Sequence, residues 1–166
     1  MMAKMTVQGI EEYALKLSKL GEKSQETAGK AIYAGAEVVA DSIKQNLEGL
    51  GSVDDKYNLV AYKQGKKSKL SEKQKDGLKK SFGITKMQID SDGFYNVKLG
   101  FDGYNDVKTK KYPSGQPNQL IARIAESGST FMNKTPFIRT AVNQTRKRAQ
   151  EVMQRVIEEE TEKIMR

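Results

Sequence analysis

Ala125-Glu126-Ser127-Gly128-Ser129, followed after a short spacer by Pro136-Phe137-Ile138-Arg139-Thr140-Ala141, joins a glycine-punctuated turn to the start of a helix that continues toward the last residue. Thr135 can cap that helix through its hydroxyl, and Pro136 suits the first helical position, where its missing N–H would have found no partner. Downstream, Ile138, Val142, Thr145, Ala149, Val152 and Val156 recur in alternating steps of four and three, and the stripe then drifts to Ile157, Thr161 and Ile164. The pattern is nearly that of a coiled coil. About 30 residues at 1.5 Å each predict a rod of roughly 45 Å, comparable to the whole width of a compact domain of this size.

Upstream of this stretch, Leu120, Ile121, Ile124 and Ala125 fit a short amphipathic helix capped near Asn118, with a third strand as the alternative. Before it, residues 103–117 contain Asn105, Asp106, Pro113, Ser114, Gly115 and Pro117 and predict a surface loop. Phe82 and Ile84, then Met87 and Ile89 after a one-residue slip, precede Ser91-Asp92-Gly93, beyond which Tyr95, Val97, Leu99 and Phe101 alternate. This is a β-hairpin over 82–101, with a bulge near Thr85 or Lys86. Ile10, Tyr13 or Ala14, Leu17 and Leu20 predict a first helix ending at Gly21. Ala28, Ala31, Ile32, Gly35, Val39, Ile43 and Leu47 predict a second, from Ser24 to about Leu47. Its small residues would permit another backbone to approach closely.

The fold class expected is α+β: a small antiparallel sheet, centred on the hairpin 82–101, packed against long helices that include the C-terminal one. A chain of 166 residues suits one domain, 1–166, carrying a Lys-rich insertion at about 50–76 and the loop at about 103–117. No apolar run approaches the roughly 18–20 residues that span a bilayer, so no membrane partner is expected. Met1-Met2-Ala3-Lys4-Met5 lacks the apolar core of a secretory signal, which points to synthesis in a cytoplasm. The chain has no cysteine and no histidine, which excludes disulfides, thiolate metal sites and the commonest acid–base catalyst. No catalytic residue, cofactor or metal is therefore assigned. Asp90-Ser91-Asp92-Gly93 begins like a calcium loop, but Phe101 stands where its last ligand would be, and a hairpin turn explains it better. Gly65-Lys66-Lys67-Ser68 ends like a phosphate loop, yet Val60 replaces the upstream glycine.

The 125–141 stretch resembles the tail-completion and head–tail joining proteins of long-tailed phages and prophages, the gene-product-ten-like family. Members carry Glu-x-Gly-Thr/Ser and then Pro-Phe-hydrophobic-Arg-Pro-Ala. Val7-Gln8-Gly9-Ile10 and Gly77-Leu78-Lys79-Lys80-Ser81 are similar to two further landmarks of that family, in the right order. The motif residues so assigned are Gly77, Leu78, Ser81, Glu126, Gly128, Pro136, Phe137, Arg139 and Ala141. Thr140 departs from the pattern by replacing the second proline. The resemblance implies a structural virion or prophage protein at the head–tail junction or upper tail, no enzyme, assembled in the host cytoplasm into a ring, on the family's pattern a hexamer. Its partners would be other copies and other neck and tail proteins. It also implies that Glu126 sits close to Arg139 and that Phe137 anchors the core.

The net charge of +8 is concentrated between Lys56 and Lys80, where nine lysines face only Glu72 and Asp76. Interleaved with Gly65, Ser68, Ser71 and Gln74, they predict a mobile, solvated loop. The bland reading is a solvated charge run. The functional alternative is a basic module that binds nucleic acid without reading sequence, with Lys63, Lys66, Lys67, Lys69, Lys73 and Lys75 facing DNA and Tyr57 and Tyr62 stacking on bases. Met153, Ile157, Ile164 and Met165 lie beyond or beside the main stripe of the last helix and are assigned to a subunit interface.

Overall fold

The computed structural model describes residues 10–166, without the side chains of Ile10, Glu11 and Tyr13. The Val7-Gln8-Gly9 landmark therefore lies outside the described residues, as do the side chains of Ile10 and Tyr13 in the first stripe. The fold is α+β. In chain order the elements are α1 (Ile10–Glu22), α2 (Ser24–Gly49), α3 (Asp55–Lys63), α4 (Glu72–Ser81), β1 (Phe82–Ile84), β2 (Gln88–Ile89), β3 (Tyr95–Asn96), β4 (Leu99–Phe101), α5 (Asn118–Ser127) and α6 (Ile138–Met165). No described helix is long and apolar enough to cross a membrane.

The frame is the antiparallel pair α2 and α6. Lys30 Nζ meets Glu160 at 2.6 Å near one end, and Asn46 Nδ2 donates to the Phe137 carbonyl at 3.1 Å near the other. Between them the buried face of α2 is built largely from small residues, with Gly29, Ala31, Gly35, Ala36 and Ala40 preceding Ile43 and Leu47. Ala141 and Ala149 answer them on α6. Small side chains at the contact let two helix backbones come close, as the composition of the second stripe predicts. On α1 the outcome differs from the stripe reading: Leu17 is 46% exposed.

The hairpin is real, and it is interrupted. β1 pairs with β4, Ile84 opposite Leu99, and β2 pairs with β3, Gln88 opposite Asn96. Residues 85–87 thus stand opposite only 97–98, which is the extra residue of a bulge where the sequence places one. The Tyr33 hydroxyl of α2 serves this break, accepting from Met87 N–H at 2.8 Å and donating to the Thr85 carbonyl at 3.4 Å. At the tip, Asp90 Oδ1 accepts from the N–H groups of Asp92 and Phe94, and Gly93 takes φ 85°. Asp90-Ser91-Asp92-Gly93 is a hairpin turn. Phe82, Phe101 and Phe137 carry the sheet onto α6, with ring centroids 5.1 and 6.0 Å apart. Ile43, Leu47, Leu70, Leu78, Ile121, Ala125, Phe137 and Ala141 form the buried cluster beneath.

The region expected to be a mobile loop is ordered. Asp54 accepts from Tyr57 N–H at the start of α3. Ser71 and Gln74 form a reciprocal capping box at the start of α4. Counting lysines hid these caps and the apolar residues Ala61, Leu70 and Leu78 that the segment buries. The 103–117 segment contains neither helix nor named strand, as its turn residues predict, though Asn105 within it is 4% exposed.

Candidate functional site

The residues that carry the family resemblance meet around the base of α6. Leu78, Phe137 and Ala141 are each at most 1% exposed and share one cluster. Gly77 lies where α4 crosses the 105 and 118 backbone regions: a Cβ there would stand 2.6 Å from Asn105 Cβ and 2.7 Å from Asn118 Oδ1. Ser81 is half-buried, its hydroxyl directed at the Leu78 carbonyl at 3.4 Å. Gly128 ends α5 with φ 76°, a conformation open to glycine at little cost, and its N–H reaches the Ile124 carbonyl at 2.7 Å.

Glu126 is the tie between turn and helix. Its carboxylate accepts from the backbone N–H groups of Phe137 and Ile138, each at 2.9 Å, and of Arg139 at 3.0 Å. Helix N-termini leave such donors unsatisfied and favour negative charge. Glu126 therefore does from α5 what the sequence assigns to Thr135. The Thr135 hydroxyl and N–H both point to the Ala125 carbonyl, at 3.5 and 2.7 Å, and α6 begins at Ile138 rather than at Pro136. Glu126 reaches Arg139 through its main chain, while the Arg139 side chain is exposed. Pro136 is exposed, and its carbonyl accepts from the Thr140 hydroxyl at 3.2 Å.

The basic stretch is partly spoken for within the fold. Lys73 pairs with Asp55 at 2.8 Å, and the hydrogen bond it donates to that carboxylate raises the lysine's pKa. Lys75 Nζ donates to the carbonyls of Glu48 and Leu50 at the end of α2, at 2.8 and 2.6 Å, favourable for a cation at a helix C-terminus. Lys67 donates to the Ser129 carbonyl at 3.1 Å, and Lys69 lies 5.2 Å from the centre of the Tyr57 ring. Lys63 and Lys66 are exposed without a side-chain partner among the described residues. The expectation of six equivalent lysines on a free loop is thus corrected: Lys73 and Lys75 brace α4, Lys69 lies by the Tyr57 ring, Lys63 is exposed, and Lys66 and Lys67 border a cleft with Tyr62 and Phe131.

Sequence reasoning missed a wall of that cleft. Phe131 is 72% exposed, and its carbonyl accepts from Ser68 N–H at 2.7 Å and from the Ser68 hydroxyl at 2.8 Å. The paired apolar residues Phe131-Met132 between Gly128 and Pro136 were the available signal, since Met132 is 7% exposed and holds the turn inward.

The four residues assigned to a subunit interface separate. Met153 packs on Gly35 within the chain, its Sδ 2.7 Å from where a Cβ would stand. Ile164 is half-buried in a groove shared with Lys19, Lys23 and Thr27. Met165 is half-buried and Ile157 is 45% exposed. In the same region Glu160 receives hydrogen bonds from Lys163 and Lys30, which hold its carboxyl down at about 2.

Comparison with protein-family models, with curated proteins and with solved structures finds no match.

Proposed function

We propose that this chain is a structural component of a phage or prophage particle, placed at the head–tail junction or upper tail, where it completes the tail or joins it to the neck by assembling into a ring. The observation that carries this reading is the convergence of the motif residues. Leu78 stands about fifty residues before Glu126, yet it shares one buried cluster with Phe137 and Ala141 at the base of a 28-residue helix whose first N–H groups Glu126 caps. Residues that build a common mechanical base, and leave a long rod and an aromatic cleft on either side, suit a part whose work is to hold neighbours.

The purified chain tests this directly. Sedimentation velocity and negative-stain microscopy should find closed rings, and addition to headless tails from the same source should place the protein at one tail end. A chain that stays monomeric and does not join tails would end the reading.

The nucleic-acid module remains the second reading, favoured by exposed Lys63 and Lys66 beside exposed Tyr62. A monomer whose affinity for DNA falls steeply with salt would select it.

A further inference from the structure

Two surfaces near opposite ends of α6 are left open by the core. At its base, Tyr62 and Phe131, 76% and 72% exposed, border a cleft of about 300 Å³ together with Gly65, Lys66 and Lys67. Its floor is Ser68, bonded to the Phe131 carbonyl, and exposed Lys66 and Lys67 stand at its rim. Toward the other end of α6, Ile157 is exposed and Met165 is half-exposed two turns further on. Glu151, Glu158 and Glu162, spaced seven and four residues apart, share the adjoining strip and are exposed. One surface is an apolar hollow rimmed by lysines. The other is an exposed strip with Ile157 and Met165 beside three glutamates, each engaged along the helix: Glu151 by Lys147 at 4.0 Å, Glu158 by Gln154 at 2.8 Å and Glu162 by Arg166 at 3.4 Å.

They cannot meet within one molecule. The connection that carries Phe131 leads into α6 at Ile138, and the helix places Ile157 roughly 30 Å further along. We propose that the Tyr62–Phe131 cleft receives the Ile157–Met165 strip of a second copy of this chain. This inference rests on the ring-forming role argued above and supplies its contact. Joining two different faces head to tail leaves each added copy with one free face of each kind, so the assembly grows until the rotation closes it. Opposite charges at the rims set the direction and speed the encounter, while Ile157 and the two aromatic rings exclude water.

Charge reversal tests it in the full-length chain. Lys66→Glu with Lys67→Glu spoils the cleft, and Glu158→Lys with Glu162→Lys spoils the strip. All four positions are exposed, so circular dichroism should report unchanged folding. Each variant alone should self-associate at least about tenfold more weakly than the unaltered chain, as loss of close charge pairs across an interface does. Mixing the two should restore assembly beyond dimers, because the native strip of one variant fits the native cleft of the other and the two reversed faces are also opposite in charge. The quadruple variant, with both signs exchanged, should assemble again.

Rings that persist in both double variants would overturn the inference and leave the structural role standing. Failure of the unaltered chain to self-associate or to join tails would overturn both. Unchanged assembly, with loss of oligothymidine binding in Lys66→Glu/Lys67→Glu, would overturn the inference in favour of a nucleic-acid groove.

Discussion

Met153 lies across Gly35: a Cβ on Gly35 would stand 2.5 Å from Met153 Cγ and 2.7 Å from its Sδ, with the Ala149 carbonyl 3.4 Å away. Gly35→Ala gains about 1 kcal/mol of helix propensity and must displace a packed side chain, which costs about 1–3 kcal/mol. The net expected is a loss of up to about 2 kcal/mol. Urea denaturation should show that loss, and should show it shrinking in the Met153→Ala background, where the obstructing atoms are gone.

Glu126 supplies the hydrogen-bond acceptors for three N–H groups at the start of α6. Glu126→Ala leaves these donors without their acceptor, and a loss of about 2–3 kcal/mol is expected from the cap and the helix dipole together. Glu126→Gln keeps one acceptor oxygen and should lose less. Hydrogen exchange at Phe137, Ile138 and Arg139 should accelerate first, and unchanged exchange there would contradict the assignment.

Phe137 is 1% exposed and meets the Phe101 ring at 6.0 Å, edge to face. Phe137→Ala should cost about 3–5 kcal/mol, and Phe137→Leu about half of that, read from thermal or urea unfolding. The larger truncation should also loosen the hairpin, since Phe101 is the ring through which β4 reaches α6.

Glu160 titrates well below the ordinary carboxyl value of 4.5, at about 2, because Lys163 and then Lys30 hydrogen-bond its charged form. A carboxyl depressed in the folded state adds stability that is fully present above 4.5 and is lost as pH falls from there through about 2. Between those limits the unaltered chain should lose stability faster than Glu160→Gln, whose side chain does not titrate. Urea midpoints measured across this range check the sign, and parallel curves would refute it.

Much of the fold was legible because periodicity reports burial. The small-residue stripe from Ala31 to Leu47 foretold a close helix partner, and the slip between Ile84 and Met87 foretold the bulge. The segment from Asp55 to Lys80 was misread for a physical reason: its stability comes from the capping groups Asp54 and Ser71 and a few buried apolar residues, while its lysines dominate composition. At the candidate site, Glu126 and Phe137 were visible as a motif. The identity of the cap was not, since Thr135 is adjacent in sequence and Glu126 reaches the helix only through the turn at Gly128. Met153 was misplaced because a methionine beside an apolar stripe looks surplus until the glycine opposite it is known.

The Glu126 clasp has a mechanical corollary. Thr135 and Phe137 are fastened to Ala125 and Glu126, so the intervening stretch is a stitched loop drawn shut at its own root. Severing the backbone inside it, around Asn133, would leave both cut ends sewn to the same spot. The polypeptide could be opened at this seam while its two pieces stay in register.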